Sequence, residues 1–183
     1  MISYSAADLA DGFRTVRKNT VQVAEDIPEN KYDFVAAPGF KSVADLLRHI
    51  AFSPVMQEDM HRVKRVTTFK GYDFGALHAR TDAQGKALRG KSEIVAALKS
   101  EGERIASWFE SLSEDFLNET FTDVAGQNPR TRFEGLLAVK EHEMHHRGQL
   151  MLIERMVGVV PHLTRQRDER NRQRQAATAQ RAS

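Results

Sequence analysis

The chain has 183 residues, 40% hydrophobic and 28% charged, with a formal net charge of +2. This balance suits one globular domain and excludes wholesale disorder or a fibrous repeat. Cysteine is absent, which excludes disulfides, thiolate metal sites, iron–sulfur clusters and a nucleophilic protein thiol. Any metal must therefore be held by histidine and oxygen.

In chain order, Ser5 to about Ile27 predicts a first amphipathic helix, with Leu9, Phe13, Val16, Val23 and Ile27 on one stripe and a capping start at Ser5 and Asp8. Pro28 to Lys41 reads as a loop, after which Ser42 caps a second helix carrying Leu46, His49 and Ile50. Pro54 is expected to kink that helix without ending it. Phe69 to Lys91 holds four glycines without periodicity and predicts a long connection with a helical turn inside. A third helix follows from Ser92 to about Leu112, marked by Ile94, Leu98, Ile105, Trp108 and Leu112. Glu119 to Pro129 reads as irregular, with a short extended piece at Phe121 to Val124 and no real sheet.

The last helix opens on a T-x-x-E capping box, Thr131 and Glu134, and stops at Gly158 and Pro161. Four helices joined by long loops predict an all-α four-helix bundle over residues 1–164. Beyond it, six arginines against Asp168 and Glu169 give residues 165–183 a charge of +4, leaving the body near −2. That segment reads as a frayed or disordered arginine-rich tail, and nucleic-acid binding is unsupported as a main function. No apolar run approaches the ~18 residues of a membrane span, and the acidic N-terminus does not resemble a secretory signal. The expectation is a cytoplasmic protein without a membrane partner.

Three of seven histidines fall in KEHEMHHRGQL. His142 and His146 differ by about 40° around a helix and stand one turn apart, so both rings can reach one ion. They share a stripe with Ala138, Val139, Gln149, Ile153 and Met156, where two imidazoles cost several kcal/mol unless satisfied. Metal ligation satisfies them, with His49 as a third candidate. Three neutral imidazoles suit Zn²⁺, Ni²⁺ or Fe²⁺ and leave one position open for water or substrate. Gln149 is placed to orient a ligand, and Arg147 is expected to pair with an acid. Phe133, Leu137, Met144 and Met151 line the opposite face, for helix packing or a dimer contact. His61, His78 and His162 read as surface residues, with His78 able to approach from a lid.

The segments YDFVAAPGFKSVADLLRHIAFS and HEMHHRGQL, about 90 residues apart, resemble the two signatures of the DinB-like (DinB/YfiT-related) metalloenzyme family. The resemblance runs from the first helix to about Thr164. It implies a four-helix bundle holding one divalent ion, zinc or nickel, on His49, His142 and His146, with His145 a neighbour. It also implies a homodimer and a thiol-dependent S-transferase, in which the metal activates a small cosubstrate thiol for attack on a small electrophile. The alternatives are a non-enzymatic metal or small-ligand binding protein of stress response, and a metal-dependent hydrolase. His142, Glu143 and His146 also match H-E-x-x-H, whose glutamate would be the general base of a metallopeptidase, although the longer motif of that class and an edge strand for a peptide are missing.

Overall fold

The computed structural model describes residues 4–182; residues 1–3 and Ser183, the outer ends of the expected domain and tail, lie outside it. Helix α1, Ala6–Asp26, starts on the expected capping box: the Ser5 hydroxyl accepts from the Asp8 amide, and the Asp8 carboxylate accepts from the Ser5 amide. Its stripe of Leu9, Phe13, Val16, Val23 and Ile27 is buried. Helix α2, Val43–Glu58, is capped by Ser42, runs through Pro54 and continues into a π turn at Asp59–Val63.

Proline removes one backbone donor, which frees the carbonyl four residues back. That carbonyl, Ile50 O, accepts from Arg17 Nη2 at 3.1 Å and Ser53 Oγ at 3.4 Å. A side chain from another helix thus supplies the bond that Pro54 cannot make.

The expected four-helix bundle with long loops is overturned: the described residues form seven α-helices. The long connection is largely α3, Phe74–Ala87, capped by Asp73 through the Ala76 amide. It buries only Leu77 and Gly85, so it has no apolar stripe for periodicity to detect. Helix α4, Lys91–Glu110, lies where the pattern placed it. A short α5, Glu114–Asn118, follows, capped by Ser113. Strands β1, Thr120–Phe121, and β2, Arg130–Thr131, pair antiparallel, a two-residue ladder where no sheet was expected. Helix α6, Arg132–Met156, opens on the Thr131/Glu134 capping box. It ends at Gly158, whose φ of +84° suits glycine. Helix α7, His162–Ala182, carries the arginine-rich segment.

Helix α1 packs on α4 and α6, and α2 packs on α3, α4 and α6. Two apolar clusters result. One gathers Val23, Ile27, Leu47, Ile50, Leu98 and Leu150; the other gathers Leu9, Phe13, Ile105, Phe109 and Leu136. Between them on α1 and α6 lies a buried ion pair, with Arg17 Nε 2.9 and 3.0 Å from the two oxygens of Glu143. Arg17 Nη1 also donates to Leu98 O at 2.8 Å, so one guanidinium joins α1, α2, α4 and α6.

Gly102 makes room for it. A Cβ there would lie 2.6 Å from Arg17 Cγ, well inside contact distance. Gly102→Ala should therefore destabilise the fold by about 1–3 kcal/mol of overpacking, outweighing the roughly 1 kcal/mol that alanine adds to a helix interior. An unchanged or raised urea midpoint would show that the helices shift apart freely at this level.

Candidate metal centre

Three imidazoles from two helices converge beside this ion pair. His49 comes from the middle of α2, and His142 and His146 come from successive turns of α6. His142 Nε2 lies 3.2 Å from His49 Nε2 and 3.1 Å from His146 Nε2. One ring nitrogen from each residue falls within 4.8 Å of the others, and all three side chains are half-buried.

The protonation states follow from the partners. Gln149 Oε1 can only accept, and it lies 2.8 Å from His146 Nδ1. That nitrogen therefore carries the proton and leaves the Nε2 lone pair facing the cluster. Burial, reinforced by His142 and His146 and then by Lys41 and His78, pushes the His49 pKa down to about 4. Burial and the adjacent His146 and His145 push His142 down to about 4 as well. Both rings are neutral near pH 7, as metal ligation requires.

The spacing passes a geometric test. For Zn–N bonds of 2.0–2.1 Å, tetrahedral ligand nitrogens stand about 3.3–3.4 Å apart, within a few tenths of an ångström of the two separations above. Three converging lone pairs repel one another when only a single proton can be shared by any two. A cation removes that conflict, and the cluster is able to coordinate a divalent metal ion.

His49 also lines a cleft of about 680 Å³ between α2 and α3, walled by Phe52, Met56, His78, Ala79 and Asp82 among others. His78 is exposed on α3 and faces this cleft. His145 is exposed, and its Nε2 accepts from Gln149 Nε2 at 3.2 Å. Gln149 thus stands between a cluster ring and a peripheral one, holding both.

Other expectations fail on burial. His61 and His162 are not surface residues: they are 0% and 4% exposed. His61 Nδ1 accepts from Arg132 Nη1 at 2.9 Å, and the ring stands edge-on to Phe121. His162 Nε2 donates to Asn19 Oδ1 at 3.0 Å, fastening the start of α7 to α1. Arg147 bonds to the Val16 carbonyl at 3.4 Å in place of the expected acid. Met156, placed on the interior stripe, is 50% exposed, because α6 is ending there. Glu143 is 1% exposed with both oxygens engaged by Arg17. Buried in this ion pair and absent from the lining of the cleft, it is not exposed to a substrate as the general base of H-E-x-x-H would have to be, and the metallopeptidase reading fails.

The sequence missed Arg17, whose polar pairing within an apolar stripe leaves no local pattern. Its only signals are distant ones, Pro54 with its freed carbonyl and the helical Gly102.

No helix among the described residues is long and apolar enough to cross a membrane. Two solved Bacillus subtilis structures share the fold. The DinB-like protein YjoA superposes with a TM-score of 0.60 at 21% identity, covering 82% of this chain and 91% of its own. YfiT superposes with a TM-score of 0.64 at 17% identity, covering 87% and 91%, and is described as a probable metal-dependent hydrolase with an unusual four-helix bundle topology. No curated protein matches the sequence. The profile of the DinB superfamily matches residues 13–150, three quarters of the chain, and the protein belongs to that superfamily.

Proposed function

We propose that the protein is a metal-dependent hydrolase in which His49, His142 and His146 hold one zinc or nickel ion. The observation that carries this reading is the convergence of three imidazole nitrogens at the edge of an open cleft. A divalent cation held there supplies Lewis acidity, polarising a carbonyl or phosphoryl oxygen and acidifying water at its open position.

The chain's own residues prepare the site. Gln149 fixes the His146 tautomer, burial keeps His49 and His142 unprotonated, and Phe52 and Met56 shield one wall of the cleft from water. His49 and His142 reach the cluster from different helices, so the Arg17–Glu143 pair that joins α1 to α6 also sets the rotation of the α6 ligands.

The thiol-dependent S-transferase expected from the resemblance is withdrawn. One solved relative, YfiT, is described as a probable metal-dependent hydrolase, and hydrolysis needs only water as its second reactant.

The test uses protein stripped with a chelator and reloaded with zinc, assayed with 4-nitrophenyl acetate and 4-nitrophenyl phosphate. Zinc-dependent turnover of either, lost on chelation and in His146→Ala, supports the reading. One bound zinc per chain with no turnover of either probe overturns it in favour of a metal-binding protein without catalysis.

A further inference from the structure

Helix α7 takes no part in the metal centre. Its start is fastened to α1, by His162 to Asn19 at 3.0 Å and by Arg165 Nη2 to Asp26 Oδ2 at 2.6 Å. From Arg165 to Arg181 it carries no apolar side chain larger than alanine, and every residue there except Asp168 is exposed. Most helices owe their stability to an apolar face packed on a core. This segment has no such face.

Its charges are sorted around the axis. Of its six arginines, three are neutralised: Arg165 by Asp26 at 2.6 Å, Arg167 by Asp168 at 3.1 Å and Arg172 by Glu169 at 2.5 Å. The other three, Arg170, Arg174 and Arg181, have no carboxylate partner among the described residues. At 100° per residue these three fall within about 40° of one another and span about 16 Å of helix axis. Asp168 and Glu169 lie about 100° or more away from that line, and Arg165 and Arg172 lie on the opposite side. The arginine that reaches the body is therefore on the far side from the free ones, which form a guanidinium stripe with no acid beside it.

We infer that the stripe of Arg170, Arg174 and Arg181 is a docking surface for duplex DNA, held through its phosphates without regard to sequence. A guanidinium matches a phosphate in bidentate fashion and keeps its charge at any physiological pH. A helix about 10–12 Å across fits the major groove, about 12 Å wide, and cations along one line can then reach the backbone. Gln166 and Asn171 flank the stripe, and such amides bond to phosphate oxygens and base edges. A lipid surface fits less well, because a helix lying on it needs bulky apolar side chains opposite its cations. A protein interface centres on buried anchors, and α7 offers no aromatic or large aliphatic one beyond Leu163. The body, with a charge near −2, gains nothing from a polyanion, so attachment rests on α7.

Fluorescence anisotropy with a labelled duplex of about 20 base pairs tests this on the full chain, zinc-loaded and chelator-treated alike; a Kd of roughly 1–100 µM is expected. Log affinity should fall against log salt with a slope of about −3, one counterion for each free arginine. Arg174→Gln should weaken binding about three- to tenfold and reduce the slope by about one. Arg172→Gln removes the same charge from the opposite side and should change binding less than about twofold. Equal losses in the two variants, a slope near zero, or tighter binding to phosphatidylserine vesicles or polyglutamate than to the duplex overturns the inference. Zinc occupancy should leave the affinity unchanged, so the outcome is independent of the hydrolase reading.

Discussion

His142→Ala is expected to lower zinc affinity by more than about 100-fold, whereas Gln149→Ala should lower it by about 10–100-fold, the range typical of an outer hydrogen-bond partner. The difference follows from geometry. His142 Nε2 stands between the other two nitrogens, 3.2 and 3.1 Å away, and its removal leaves two ligands on different helices. Gln149 touches only the far side of the His146 ring, so its loss frees the tautomer without removing a donor atom. Competition against a chromophoric chelator measures both variants, and equal affinities in wild type and His142→Ala would dispose of the three-histidine site.

Circular dichroism separates this effect from unfolding. In metal-free protein His142→Ala removes a half-buried ring and the crowding of lone pairs, so the helices should remain intact. Acid should act in the same direction as the substitution. With His49 and His142 held at about 4, well below the ordinary histidine value of about 6.5, protons do not compete for these rings in mildly acidic solution. In the same chelator competition, proton competition at these two ligands should set in only as the pH falls toward about 4.

Arg17→Met should cost about 3–5 kcal/mol of stability, the penalty for leaving a buried charge without its counterpart. Glu143 is almost wholly enclosed, and the same substitution takes a donor from the carbonyls of Leu98 and Ile50. The loss should appear as a lower urea midpoint at unchanged slope. Replacing both partners, Arg17→Met with Glu143→Met, should recover a large part of it, because the uncompensated carboxylate is then gone. The recovery should be incomplete, since Ile50 O still lacks a full replacement for the donor absent at Pro54. A single substitution within about 1 kcal/mol of wild type would show that water reaches this layer.

Much of the fold was legible because its principal helices bury continuous stripes. Leu9, Phe13 and Val23 on α1, and Ile94, Leu98 and Ile105 on α4, repeat at helical spacing and are fully enclosed. The capping boxes at Ser5/Asp8 and Thr131/Glu134 set two helix starts to the residue. Helix α3 was not legible, because it lies on the surface with two buried residues and is held by local capping and polar ties. The candidate site was legible on α6, where His142 and His146 sit one turn apart. His49 carries no such local signal, and its approach depends on how α2 crosses α6. His61 and His162 were misplaced for a related reason: the partners that make their burial tolerable, Arg132 and Asn19, lie 71 and 143 positions away.

The thin anchoring of α3 bears on how molecules come and go. Its only enclosed residues are Leu77 and Gly85, and it is pinned near its start by Asp59, which accepts from Tyr72 Oη at 2.5 Å and Arg80 Nη2 at 2.7 Å. A segment with so little apolar contact detaches at a free energy far below that of global unfolding. The outer wall can therefore open locally at little cost to the core that carries His49. Entry and departure need no breathing of the interior, and the traffic of small molecules is uncoupled from the rigidity that the three rings demand.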